Sequence, residues 1–160
     1  MKRIVCLLTF LALSALTHRP LMAQGNSFVG TWKLNLAKSK FEPGPAPKSM
    51  TRTVEIRGKS ANYSFEGVAA DGTPVAYSFN TDYDGKGSPI TGTGTPGGAD
   101  SIALKRAGKN KTEATLKKGG KLVGRAEAEV SKDGKITTVK SKGTAADGKE
   151  FSSESVYEKQ

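Results

Sequence analysis

Short runs that alternate apolar and polar residues follow one another from Phe28 to the end of the chain. In the first run, Trp32 and Leu34 share a face with Phe28, while Thr31 and Lys33 lie on the other face. A period of two residues is typical of β-strands with one buried and one solvated face. About nine runs show this pattern, at residues 28–34, 53–57, 62–66, 75–79, 102–104, 114–116, 125–130, 136–139 and 151–157.

Turn residues separate these runs. Asp-Gly at 71–72, 133–134 and 147–148, and Gly-Gly at 119–120, supply residues that adopt positive φ in tight hairpins. Strands that are neighbours in the chain should therefore pair antiparallel. About eight to ten such strands predict an all-β fold, an up-and-down antiparallel β-barrel, because closure removes exposed sheet edges. A β-sandwich is the alternative. A barrel of this strand number is wide enough to hold one small ligand.

Two segments interrupt the alternation. Residues 41–47 contain three prolines, which predicts an extended loop after a short helical turn at 36–40. Residues 85–98 are rich in glycine and contain two prolines. This second segment is either a long loop or a weak strand around Ile90 with flexible flanks.

The two ends of the predicted barrel resemble a known superfamily. Residues 28–34 read Phe-Val-Gly-Thr-Trp-Lys-Leu, and residues 30–32 match the Gly-x-Trp signature with which lipocalins begin. Residues 156–159 are similar to the last strand of intracellular fatty-acid-binding proteins. The chain thus resembles the calycins, the superfamily of both groups, and looks closest to secreted bacterial lipocalin-like proteins of uncharacterised function. The resemblance implies a calycin-like barrel in which Gly30 and Trp32 are the structural signature and Trp32 packs at the closed end.

The chain departs from the fatty-acid-binding pattern at a functional position. That family holds the ligand carboxylate with an Arg-x-Tyr in the last strand, and the matching residues here are Ser155, Val156 and Tyr157. The tyrosine carries over and the arginine does not. The helix-turn-helix lid of that family is also not expected, because the matching segment at 41–47 is too rich in proline.

The first residues are typical of a signal peptide. Lys2 and Arg3 precede an uncharged apolar run at 4–16, which is too short to cross a bilayer as a stable helix. Cleavage after Ala23 divides the chain into a signal peptide at 1–23 and a single lipocalin-like barrel at 24–160. This predicts an exported protein, periplasmic or secreted, with no transmembrane segment in the mature chain. An uncleaved N-terminal anchor is the alternative.

The composition argues against catalysis. The chain of 160 residues contains one histidine and one cysteine, His18 and Cys6, and both lie in the predicted signal peptide. The mature chain then lacks the side chains of cysteine nucleophiles, histidine bases, disulfides and ordinary zinc sites. Glu55, Glu66 and Glu127 fall on predicted polar faces, away from any common site. We therefore expect no enzyme, no cofactor and no metal.

The inward faces suggest where a ligand would bind. Large aromatic residues belong to the early strands, whereas later strands present Gly124, Ala126, Ala128, Ser153 and Ser155 inward. Large and small residues either interlock as a solid core or leave a cavity with an aromatic wall. In the second case a small hydrophobic or amphipathic molecule is the predicted ligand, and it would contact Tyr63, Phe65, Tyr77, Phe79 and Tyr157.

The charge suggests a second possibility. The whole chain carries +10, and the loss of three cations with the signal peptide leaves +7. The segment 105–121 is strongly basic, and we expect it to fold as a hairpin with its charges around one turn. It could bind an anionic envelope surface or act as an inhibitor surface, or it could only prevent edge-to-edge association. Nucleic acid is not expected, because no aromatic-basic platform is present. The basic residues are Lys105, Arg106, Lys109, Lys111, Lys117, Lys118 and Lys121.

Overall fold

The structure is a computed structural model, and it describes residues 26–145 and 147–160. The predicted signal peptide at 1–23 lies outside these residues. One sheet of twelve strands makes up the described chain. The strands are β1 (Gly30–Leu34), β2 (Lys40–Glu42), β3 (Ser49–Arg57), β4 (Ser60–Val68), β5 (Pro74–Thr81), β6 (Asp84–Pro89), β7 (Thr91–Thr93), β8 (Ser101–Arg106), β9 (Lys111–Lys118), β10 (Lys121–Val130), β11 (Ile136–Thr144) and β12 (Glu150–Lys159).

The strand order is that of an up-and-down barrel. Along the sheet it runs β6, β8, β9, β10, β11, β12, β1, β3, β4, β5 and β7, and every pairing is antiparallel. β2 pairs with β12 beyond the end of β1. Because β6 and β7 are consecutive in the chain and belong to opposite ends of this order, one segment brings the two ends of the sheet together. The all-β, nearly closed antiparallel barrel predicted from the sequence is confirmed, and the sandwich alternative is not adopted.

The barrel has more strands than the alternation predicted. The extra strands are β2, β6 and β7, in segments that contain proline or many glycines. β7 can pair with β5 because Gly92 has no side chain: a Cβ there would lie 2.1 Å from the carbonyl oxygen of Ala76. Glycine thus permits close strand pairing in a segment where composition alone also fitted a loop. The predicted helical turn is present as a 3-10 turn at Leu36–Lys38.

The predicted turn dipeptides occupy hairpin turns. Gly72, Gly134 and Gly148 have φ values of 95°, 71° and 85° in the connections β4–β5, β10–β11 and β11–β12. In all three, the aspartate before the glycine accepts a hydrogen bond from the backbone N–H two residues after itself, at 2.8 Å for Asp71 and 3.1 Å for both Asp133 and Asp147. Each aspartate thus stabilises its own turn. The hairpin turns predicted at these Asp-Gly pairs are confirmed.

The core includes the segment that precedes β1. Among the described residues, the largest fully buried side chains are Phe28, Trp32, Val54, Val130 and Thr137. The Nε1–H of Trp32 donates a hydrogen bond of 2.8 Å to the carbonyl oxygen of Phe28, so the segment before β1 is bound to this core. Trp32 packs in the core here, as the Gly-x-Trp resemblance implied. Gly30, the other signature residue, has a φ of 127°.

Candidate functional site

A cavity of about 240 Å³ lies inside the barrel. Its aromatic wall is built by β4 and β5, where the alternation directs every second side chain inward. The rings of Phe65 and Tyr77 stack at 4.6 Å between centroids, and those of Tyr63 and Phe79 stack at 5.0 Å. Tyr157 reaches the same cavity from β12. The structure therefore brings together all five residues that the sequence predicted as ligand contacts.

The facing wall consists of small residues from β10 and β12. Gly124, Ala126, Ala128, Ser153 and Ser155 all line the cavity. They face the aromatic side chains without filling the space between them. Of the two alternatives left open by the sequence, the described structure has the cavity and not the fully interlocked core.

Arg52 also lines this cavity and was not among the residues predicted from the sequence. It comes from β3, lines the cavity and is only 3% exposed. Its guanidinium carbon lies 5.3 Å from the ring centre of Trp32 and 5.2 Å from that of Tyr157. A signal was available, since Arg52 precedes the inward-facing Val54 by two residues and so shares its face.

The guanidinium of Arg52 is not satisfied by the protein. Its Nε and Nη2 atoms are buried, and neither has a hydrogen-bond partner among residues 26–145 and 147–160. Arg52 is also the only lysine or arginine that is buried in this part of the chain. A buried charge without a partner is costly, and the groups around it must account for its presence.

Burial also determines the ionisation of the groups around the cavity. It lowers the pKa of Arg52, yet a guanidinium keeps its proton in proteins. It raises the pKa of Tyr63, Tyr77 and Tyr157 above the ordinary value for tyrosine. At neutral pH the site therefore combines a buried positive charge with neutral phenol groups.

The hydroxyl of Tyr63 already has a hydrogen-bond partner inside the protein. It lies 2.8 Å from the hydroxyl of Tyr83, which also accepts a hydrogen bond of 2.8 Å from Nδ2 of Asn26. The guanidinium carbon of Arg106 lies 4.1 Å from the ring centre of Tyr83. Because this hydroxyl already has a partner, Tyr63 offers a ligand its ring rather than its hydroxyl.

The structure divides the predicted basic patch into two groups. Lys105, Arg106, Lys109 and Lys111 lie at one end of β9, and Lys117, Lys118 and Lys121 lie at the other. A strand of this length spans about 23 Å, so the charges do not gather around one turn as expected. Two of them also form ion pairs: Nζ of Lys105 lies 2.9 Å from Glu113, and Nζ of Lys111 lies 2.8 Å from Glu127. The long pairing of β8, β9 and β10 is the physical reason for the separation.

Across residues 26–145 and 147–160, none of the helical segments is both long and apolar enough to traverse a lipid bilayer. Nor do three or more His, Cys, Asp or Glu side chains come together in these ranges as metal ligands would.

Known structures share the barrel fold. Zebrafish ileal bile acid-binding protein, in a crystal structure complexed with cholic acid, has a TM-score of 0.50 and 15% identity to this chain, covering 84% of this chain and 99% of the zebrafish chain. A redesigned β-barrel, mFAP1, bound to DFHBI, has a TM-score of 0.45 and 13% identity, covering 83% and 95% of the two chains. No family model matches the chain, and no curated protein matches it by sequence. At these identities the likeness concerns the fold alone, which is calycin-like as predicted.

Proposed function

We propose that this protein is an exported, non-enzymatic binding protein that holds a small hydrophobic or amphipathic molecule inside its barrel. The observation that carries the proposal is the cavity of about 240 Å³ with its wall of stacked aromatic rings. Export follows from the predicted signal peptide at 1–23, and the likeness of the chain ends to secreted bacterial lipocalin-like proteins agrees with it. The zebrafish protein of similar fold is complexed with cholic acid, an amphipathic molecule.

Binding would be driven by removal of apolar surface from water. Each buried CH₂ group of a ligand contributes about 0.8 kcal/mol. The rings of Phe65 and Phe79 offer flat apolar surface for this purpose, and Tyr157 provides a polar group beside it. The ionisable side chains that line the cavity are Arg52, Arg125, Lys142 and three tyrosines. Such groups orient a ligand, whereas proton transfer at neutral pH calls for groups that titrate near that pH.

The test identifies the molecule that is bound to the protein and then fills the cavity with a larger side chain. The mature protein is purified from its own host, extracted with organic solvent, and the extract is analysed by mass spectrometry. We expect one small apolar or amphipathic molecule for each chain. The variant Ala126→Phe places a large ring in the cavity and should lose this molecule, and Ala114→Leu is a milder filling variant.

The matched control is Glu129→Gln, which lies on the same strand as Ala126 but faces solvent. It should retain the bound molecule. Circular dichroism establishes that each variant is folded. If the extract of the natural protein is empty, and the purified protein also takes up neither octanoate nor octanol, the proposed function is wrong.

A further inference from the structure

One of the two basic groups on β9 continues onto the neighbouring strands. Lys118 at the end of β9 lies directly opposite Lys121 at the start of β10, and Lys117 precedes Lys118. Further along β10, Arg125 lies directly opposite Lys142 of β11. All five residues are exposed to solvent. Together they form a surface that we name the cationic face.

The alternation of β9 directs this surface away from the barrel interior. Lys117 is adjacent to Leu116, which is buried and lines the cavity, so Lys117 points to the outer side of the sheet. Arg125 lies directly opposite Thr115, two residues before Lys117, and shares this outer side. The three lysines at the β9–β10 turn lie outside the cavity lining. They are therefore an exterior feature, separate from the ligand cavity.

The protein supplies no ion pair to the cationic face. None of the ion pairs within residues 26–145 and 147–160 includes any of its five residues. Glu127, two residues from Arg125 on β10, pairs with Lys111 instead. Asp100 accepts a hydrogen bond of 2.6 Å from the backbone N–H of Gly119 at the turn. Like charges directly opposite on a sheet repel, so this surface attracts an anionic partner.

A large apolar side chain lies among these cations. Leu122 follows Lys121, lies directly opposite Lys117 and is 52% exposed. An anionic lipid surface accommodates both kinds of group, because cations contact the headgroups and an apolar side chain enters the boundary with the acyl chains. A soluble polyanion would bind the cations and leave Leu122 in water. The exposed leucine therefore favours a lipid surface over a soluble polymer.

We propose that the cationic face docks on an anionic lipid surface, with its cations at the headgroups and Leu122 at the boundary with the acyl chains. This adds a membrane partner to the proposed binding function and does not depend on what the cavity holds. Because exposed charges are screened by salt, docking should be reversed at high ionic strength.

The experiment measures sedimentation of the mature protein with vesicles of phosphatidylglycerol or of phosphatidylcholine. At about 0.05 M sodium chloride we expect about tenfold tighter binding to phosphatidylglycerol, because only this lipid carries a net negative charge. At about 0.5 M sodium chloride the difference should disappear. Dextran sulfate is measured in parallel as a soluble polyanion.

A triple variant tests the charges of the cationic face. Lys117→Gln, Lys118→Gln and Lys121→Gln together should weaken binding to phosphatidylglycerol vesicles about 100-fold, since each cation near such a surface contributes about fivefold.

The matched control removes three charges from the other end of the same hairpin, by Lys105→Gln, Lys109→Gln and Lys111→Gln. Two of these lysines are already in ion pairs with glutamates. We expect this variant to weaken vesicle binding less than about fivefold, because its effect on the cationic face is screened over the length of β9.

A second pair of variants distinguishes lipid from polymer. Leu122→Thr keeps the preference for a strand and removes apolar surface, so it should weaken vesicle binding about tenfold and leave dextran sulfate binding unchanged. Ile56→Thr is the matched control, because Ile56 on β3 is similarly exposed, at 49%, and lies outside the cationic face. It should leave both kinds of binding unchanged.

Circular dichroism establishes that each variant is folded. The inference is wrong if the natural protein binds dextran sulfate but not phosphatidylglycerol vesicles, or if the two triple variants weaken vesicle binding equally. It is also wrong if Leu122→Thr binds vesicles as tightly as the natural protein does. The proposed function is measured separately by octanol uptake, and its failure with vesicle binding intact would leave the docking inference standing.

Discussion

Arg52 shows how much a single buried residue can decide. It lies on the inward face of β3 beside Val54, at a position where an apolar residue would complete the core. Removing a guanidinium from water without giving it acceptors opposes folding. The stability of the fold therefore does not explain why Arg52 is buried.

A stability measurement tests this interpretation of Arg52. Arg52→Met keeps a flexible apolar stem and removes the unpaired donors, so we expect the ligand-free protein to gain about 1–3 kcal/mol in its free energy of unfolding. Urea denaturation measures the change, with exposed Arg125→Met as the control, for which we expect little change. A loss of stability in Arg52→Met would mean that stacking on Trp32 and Tyr157 outweighs the cost of burial.

At the scale of elements, the segment that contains β6 and β7 decides whether the sheet closes. β6 pairs with β8, and β7 pairs with β5 after the single residue Ile90. The close approach at Gly92 requires both a missing side chain and a φ of 111°, which other residues rarely adopt. Composition revealed the glycines, but the pairing partners are distant in sequence and were not predictable from it.

The segment that contains β6 and β7 provides a matched pair of glycine variants. Gly92→Ala places a Cβ against the Ala76 carbonyl and forces an unfavourable φ, so we expect it to cost about 2 kcal/mol or more in unfolding free energy. Gly87→Ala lies in the same segment with open space around it, and should change stability by less than about 1 kcal/mol. Urea denaturation compares the two. Equal effects would contradict the role assigned to the close pairing of β5 and β7.

At the scale of the whole molecule, the surface charges are separate from the buried charge of Arg52. The chain carries +10, yet the described lysines and arginines other than Arg52 lie at least partly in solvent. Exposed charges are screened by salt over about 10 Å at 0.1 M ionic strength, whereas a buried charge is screened much less. Surface binding and interior binding should therefore respond differently to salt.

Salt dependence distinguishes the barrel interior from its basic exterior. We expect octanoate affinity to change by less than about threefold between 0.05 and 0.5 M sodium chloride, because a molecule inside the barrel is screened much less than one bound at the surface. Calorimetry at a series of salt concentrations provides the measurement, with octanol as the uncharged reference. A steep fall for octanoate alone would assign its binding to the exterior lysines.

Much of the structure of this protein follows from the local pattern of residues in its sequence. The alternation of residues such as Tyr63 and Phe65 specifies a strand and its inward face, because successive side chains in a strand point to opposite sides. Asp-Gly pairs specify the hairpins, because few other residues adopt the required φ. From these rules the sequence determined an all-β chain, antiparallel neighbours, a barrel as the favoured architecture, and the aromatic residues that now line the cavity.

The tertiary structure decided what depends on distant partners. Side chains from opposite sides of the barrel together decide whether space remains between the aromatic rings and small residues such as Ala126 and Ser155. The pattern of inward-facing residues does not give the volume that is left. Lys111 and Lys117 are near in sequence but separated by an extended strand. Arg52 becomes an unpaired buried charge only because none of the residues brought around it supplies an acceptor to Nε or Nη2 within the described chain. These properties arise from packing, which local periodicity does not encode.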